Sequence, residues 1–139
     1  MRGAWSGHEG DCSDAELIRE RSRRSLSRIR SMNVARIVLV TAPDAECASK
    51  LARGLVEARL VACVNLVEGV RSVYRWEGAV EEACEVLMVM KTVEVRVPEI
   101  ERWIADEHPY DVPEIVAIEP SSVEASYLAW LSAEALPKD

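Results

Sequence analysis

The stretch ACVNLVEGVRSVYRWEGAVEEACEVLMVMKT, residues 62–92, decides how the chain folds. It contains two long runs rich in Val and aromatic residues, and the only strong turn signal between them is at Glu77 and Gly78. The arms Cys63–Glu77 and Val80–Thr92 therefore form a β-hairpin. At ~3.3 Å per residue the arms reach roughly 40 to 50 Å, whereas a helix of about 15 residues covers only ~22 Å, so half of the ribbon overhangs the body of the domain. An overhang carrying Val70, Val73, Tyr74 and Trp76 exposes a sheet edge and an apolar surface, which soluble proteins cover with another chain. Strand length alone therefore predicts self-association through the hairpin, closed by cyclic symmetry. A bulge near Gly69 would divide the ribbon without hiding the apolar side chains beyond it.

The segments on either side of the hairpin alternate in type. Upstream, VARIVLVTA is a short β-branched run of the kind buried in a sheet, followed by PDAECASKLARGLVEARL with Ala48, Leu51, Ala52, Leu55 and Ala58 on one helical face. Pro43 suits the first helical turn, and Asp44 and Glu46 suit the positive end of the dipole. Downstream, VPEIERWIADEH places Val97, Ile100, Trp103 and Ile104 at helical spacing between Pro98 and Pro109. PEIVAIEP reads as a last strand. SSVEASYLAWLSAEAL reads as a closing helix with Val123, Tyr127, Trp130 and Leu131 on its apolar side and a Ser121/Glu124 capping box. The order βαββαβ plus a final helix is the split-βαβ, ferredoxin-like α+β arrangement, four antiparallel strands with two helices on one face.

The chain has 139 residues and a mass of 15.5 kDa, enough for one well-packed domain and too little for two ordinary ones. Residues 1–31 differ in character: seven Arg against five acidic residues give a charge near +2, leaving about −9 for the rest of an overall −7. This Arg- and Ser-rich segment has little apolar surface to offset its ordering entropy, so it is expected to be disordered or at most a fraying helix. Met32 then begins the domain, residues 32–139, and an upstream start codon wrongly assigned would account for what precedes it. A negative domain argues against a nucleic-acid surface and suits metal cations or basic partners. No apolar run reaches membrane-span length and no secretory signal is evident, which predicts a cytoplasmic protein.

The cysteines Cys12, Cys47, Cys63 and Cys84 form no C-x-x-C pair. In a reducing compartment they stay thiols, and the last three read as small core residues. There is no Ser-His-Asp or Cys-His set and no glycine-rich phosphate loop, and the domain holds one histidine, so the chain does not read as an enzyme. The stretch HPYDVPEI, residues 108–115, is a stiff connector. Its two prolines fix the backbone and hold His108, Tyr110, Asp111 and Glu114 in set relative positions, or else they simply end one helix and aim the next strand.

Taken together, VTAPD (40–44), LVACVNLVEGVRSVYRWEG (60–78), KT (91–92), HPYDVPEI and YLAWL (127–131) resemble the CutA divalent-cation-tolerance family, from about Val34 to Leu131. The resemblance implies a ferredoxin-like homotrimer with the architecture of PII-type signalling proteins and a role in tolerance to copper and other divalent metals. It also implies a cleft between subunits that gathers Trp76, Lys91, His108, Tyr110 and Glu114. Members with proposed copper ligation carry a thiol in the first strand and a second histidine before the one preceding proline; this sequence has Val40 and Glu107 there. The metal-ligand candidates are accordingly Glu107, His108 and Cys63, with copper or another divalent cation as the ligand. The alternative is a PII-like sensor that holds a small anion in the cleft, for which Lys91, Arg71 and Arg75 would be needed.

Overall fold

The computed structural model describes residues 12–32 and 34–137, and the chain divides into two units between Arg30 and Ser31. Helix α1 spans Cys12–Met32, two residues past that division, with Asp14 in its first turn and an exposed Arg24–Glu20 ion pair at 2.6 Å, four residues apart. The segment expected to be disordered or a fraying helix is thus helical from Cys12, and residues 1–11 lie outside the described residues. Met32, read as the domain's first residue, closes this helix.

The second unit contains strands β1 (Ala35–Ala42), β2 (Cys63–Trp76), β3 (Ala79–Val93) and β4 (Val116–Ile118), ordered β2-β3-β1-β4 in one sheet. Every neighbouring pair is antiparallel, which is the expected ferredoxin-like order. Alternation along β1 and β3 sends Val38, Val40, Ala42, Val86, Met88 and Met90 to one face, where helices α2 (Ala45–Glu57) and α3 (Val97–Glu107) bury them beneath Leu51, Leu55, Ile100 and Ile104. Gly54 permits the close approach of these helices: a Cβ there would lie 2.7 Å from the Trp103 ring. Helix α4 (Ala125–Ala135) packs on one end of the opposite face, where Leu131 and Ala135 meet Ala35, Ala62 and Val93.

The hairpin turn follows from its two residues: Glu77 and Gly78 both take positive φ, 47° and 83°, the left-handed pair that a tight hairpin turn requires. A register shift between Val67 and Val70, with Gly69 at φ 76°, is the expected bulge. Beyond it the ribbon continues to Trp76 and Ala79, and Val73 and Val80 stand 63% and 64% exposed.

Several local expectations need correction. Pro43 precedes α2 rather than opening it, because Asp44 is the N-cap and its carboxylate accepts from the Cys47 N–H at 2.7 Å. The last helix starts four residues after Ser121, because Glu124 itself caps it by accepting from the Ser126 and Tyr127 N–H groups. Its apolar side is also different: Leu131, Ser132 and Ala135 face inward, while Tyr127 and Trp130 are exposed. Ala58 is exposed as the C-cap of α2, and β4 is three residues long rather than eight. Of the three cysteines expected in the core, Cys47 and Cys63 are half-buried and Cys84, on the overhang, is exposed.

Candidate functional site

The site is assembled around the end of α3. Pro109 has no N–H and disfavours helical geometry in the residue before it, so His108 leaves the helix with φ −81° and ψ 139° while its own N–H still bonds Ile104 O. The buried imidazole then spans the gap to the sheet. Its Nε2–H donates to Thr41 O at 2.8 Å, and Nδ1 accepts from the Tyr110 N–H at 3.1 Å. The bond accepted at Nδ1 sets the tautomer, and neither nitrogen keeps a free lone pair for a metal.

Tyr110 lies against this ring, with centroids 4.7 Å apart, and its hydroxyl donates to Glu85 Oε2 at 3.0 Å. Burial first, and then the hydrogen bond and negative charge of Glu85, push the phenol well above its ordinary range, so it remains a donor. A continuous set of contacts therefore ties β1, the 108–114 segment and β3 together. HPYDVPEI has both roles considered for it: it ends a helix, and it forms one wall of a cavity of about 670 Å³.

The other wall is the overhanging ribbon. Register pairs Tyr74 with Glu81, Ser72 with Ala83 and Val70 with Glu85, so Ser72, Tyr74, Trp76, Glu81 and Glu85 lie on one face of the ribbon. All five line the cavity, together with Thr41, Tyr110, Asp111 and Glu114. The lining holds four carboxylates and no lysine, arginine or histidine. Arg71 and Arg75 alternate to the other face, where Arg71 pairs with Glu82 at 3.6 Å.

Of the residues expected in one cleft, Trp76, Tyr110 and Glu114 come together here, and His108 supports the wall from behind. Within a single chain Lys91 lies apart from them. It is in register with Cys63 and Ile37, and its ammonium donates to Asn65 Oδ1 and, at 3.4 Å, to Val89 O. Cys63 is equally remote: Lys91, its partner, sits four residues along β3 from Leu87, the partner of Thr41, and the thiol lies 3.6 Å from the Tyr127 hydroxyl. Glu107 is exposed at the last position of α3. Within a single chain the metal-ligand candidates Glu107, His108 and Cys63 are thus not brought together. Among the described residues no group of three or more His, Cys, Asp and Glu side chains is gathered closely enough to hold a metal ion.

Sequence reasoning missed Glu81 and Glu85. A signal was available: in the register set by the Glu77–Gly78 turn, both fall on the face of the ribbon that carries Tyr74 and Trp76.

Residues 36–134 match the family model described as "CutA1 divalent ion tolerance protein". A Thermus thermophilus relative, "Divalent-cation tolerance protein CutA", is 45% identical over 95 residues, covering 68% of this chain and 92% of the relative. Among solved structures, CutA1 from Oryza sativa superposes with a TM-score of 0.73 at 35% identity, covering 76% of this chain and 96% of that one. A second, from Archaeoglobus fulgidus, gives 0.71 at 31% identity over 73% and 99%. The Archaeoglobus protein is described as periplasmic, so the relatives do not support the cytoplasmic placement expected from sequence. No described helix is long and apolar enough to cross a membrane.

Proposed function

The chain belongs to the CutA1 divalent ion tolerance protein family, and from that premise we propose that it serves in divalent-cation tolerance as a homotrimer whose acidic cleft takes up cations. The observation that carries the cation reading is the composition of the cavity: Glu81, Glu85, Asp111 and Glu114 line it and no basic side chain does. Such a site attracts positive charge and repels the small anion of a PII-like sensor. Lys91, Arg71 and Arg75, which an anion would need, all lie outside the lining. With both nitrogens of His108 engaged and Cys63 remote, the pocket offers oxygen ligands, which suit hard hydrated cations better than copper.

Assembly is supported by the uncovered sheet face. Ile37, Leu39, Leu87 and Val89 are only half-buried on it, and Val67, Val116 and Ile118 are exposed. Tyr127 and Trp130, and Val73 and Val80 on the overhang, are exposed as well, and apolar groups left uncovered in this way mark a surface for another chain.

Light scattering and a thermal-shift panel test this reading. The expected mass is three times the 15.5 kDa of the chain. Divalent chlorides should raise the melting temperature by mass action while nucleotides leave it unchanged. Stabilisation by nucleotides without any by cations would transfer the reading to the PII-like sensor.

A further inference from the structure

We propose that helix α1 is a membrane-binding arm, which lies flat on an anionic lipid bilayer with an apolar stripe in the headgroup layer and arginines beside it on the lipid phosphates. It depends on neither the cation cleft nor the assembly. Residues 19–30, RERSRRSLSRIR, hold six arginines against one glutamate, a net +5 in a chain whose overall charge is −7. All of them fall within the one helix Cys12–Met32. Arg19, Arg21, Arg23 and Arg24 are exposed, and of these only Arg24 is in an ion pair among the described residues, with Glu20. Positive charge this concentrated, and this little matched along its own helix, attracts an anionic surface.

The order of residues around the helix selects the kind of surface. Ala15, Ile18, Ser22, Leu26 and Ile29 follow one another three, four, four and three positions apart, which places them on one stripe of a helix with ~3.6 residues per turn. Arg19, Arg23 and Arg30 hold positions along one side of this stripe, and Arg21 and Arg28 hold positions along the other. Glu20 and Arg24 fall at the back, where they pair with each other at 2.6 Å. A helix that follows the phosphates of a nucleic acid gathers its basic residues on one face. Here an apolar stripe divides them, which is the arrangement of a helix in a membrane interface: the stripe enters the headgroup layer, and long arginine stems carry their charge out to the phosphates. Ile18, in the middle of the described part of the stripe, is 49% exposed. Ser22 interrupts the stripe, so apolar burial alone is too small to hold the helix and attraction to acidic lipid supplies the rest. The helix is not apolar enough to cross the bilayer.

The test is co-flotation of the full chain with vesicles of phosphatidylcholine, alone or mixed with phosphatidylglycerol, beside a polarisation titration of a fluorescent DNA duplex. The chain should float with the acidic vesicles at low salt, stay behind with the neutral ones, and be released at high salt. Arg19→Gln, Arg21→Gln and Arg23→Gln combined should weaken the partition roughly a hundredfold, whereas the same three positions changed to Lys should retain most of it. Ile18→Asp should weaken it by roughly tenfold or more. Arg53→Gln with Arg102→Gln, exposed on α2 and α3, should leave it unchanged. All these positions are exposed, and an unchanged melting temperature shows that folding is intact. Equal flotation with neutral vesicles, or none with either, overturns the proposal. So does an equal loss in the Arg53/Arg102 variant, which assigns the attraction to the domain. Tighter binding of the duplex than of the vesicles, with no effect of Ile18→Asp, replaces lipid by nucleic acid. A fall in light-scattering mass in the arginine variant, without flotation of the parent chain, seats the helix on the acidic domain of another copy instead.

Discussion

Replacing Tyr110 with Phe removes one atom and tests the contact on which the cavity depends. The hydroxyl donates at 3.0 Å to Glu85 Oε2, and Glu85 is buried. Hydrogen bonds to charged groups contribute about 1.5–3 kcal/mol. Because Glu85 faces an open pocket from which water can replace the lost donor, the lower end applies: Tyr110→Phe should cost about 1.5 kcal/mol, close to tenfold in the unfolding equilibrium. Urea denaturation at fixed protomer concentration measures this, with an unchanged slope confirming that only stability has moved. In a double-mutant cycle with Glu85→Ala, most of the cost should appear as coupling between the two positions. An alkaline titration supplies an independent signature. The folded phenol titrates above its unfolded value of about 10, so the unfolded chain releases that proton first as pH rises. The stability this group contributes is complete below pH ~10 and is lost above it, and Tyr110→Phe should flatten part of that decline. A cost below about 0.5 kcal/mol with no coupling to Glu85 would refute the reasoning, since that is the range of an ordinary surface substitution.

Val80→Asp places a charge in the proposed apolar contact between subunits and should shift the light-scattering mass toward the monomer at micromolar concentration; an unchanged mass would remove this face of the hairpin from the interface. Arg96, buried, donates from Nε to Ala135 O at 2.7 Å and from Nη1 to Glu99 at 2.8 Å, so Arg96→Ala should cost about 3 kcal/mol in urea denaturation by leaving the end of α4 without its donor. Glu124 is held below its ordinary carboxylate range by the Ser126 and Tyr127 N–H groups, so its stabilisation is present above the unfolded value of about 4.3 and is lost as pH falls through the folded one; Glu124→Gln should flatten the acid limb of a melting-temperature profile. Deleting residues 1–31 should leave melting temperature and oligomer size unchanged, and a substantial fall in either would make the segment structural.

What could be read from sequence followed local chemistry. The hairpin was legible because Glu77–Gly78 is the one place between two β-branched runs where a left-handed pair is available, and Gly69 marked the bulge for the same reason. The face of α4 was not legible. Its Tyr127, Trp130 and Leu131 look alike as apolar letters, yet only Leu131 meets the core, because the helix touches the sheet along a narrow line through Leu131, Ser132 and Ala135. Apolar residues that stay exposed, as Tyr127 and Trp130 do, carry the same signal as core residues. At the site, the stiffness of HPYDVPEI was visible from its prolines, whereas the bond from His108 to Thr41 crosses 67 positions and has no local signature. Glu85 was hidden for a further reason. Within EEACEV a buried glutamate and a solvated one read identically until the strand register assigns each to a face.

On the proposed reading, the ribbon has two duties that cannot be independent. Its Val73–Trp76 end walls the cavity, and its Val80 side chain, outside the lining, is the most exposed apolar group of the hairpin at 64%. A ligand seated between Glu85, Tyr110 and Trp76 would restrain the overhang against the 108–114 segment, whose own position is fixed by His108. Restraint lowers the entropy that the ribbon must still lose on packing against another chain. Whatever factor the ligand adds to subunit affinity, assembly must return to ligand affinity, because the two share one thermodynamic cycle. Binding curves should therefore tighten with protomer concentration wherever the assembly is incomplete, and become independent of it once the assembly is saturated.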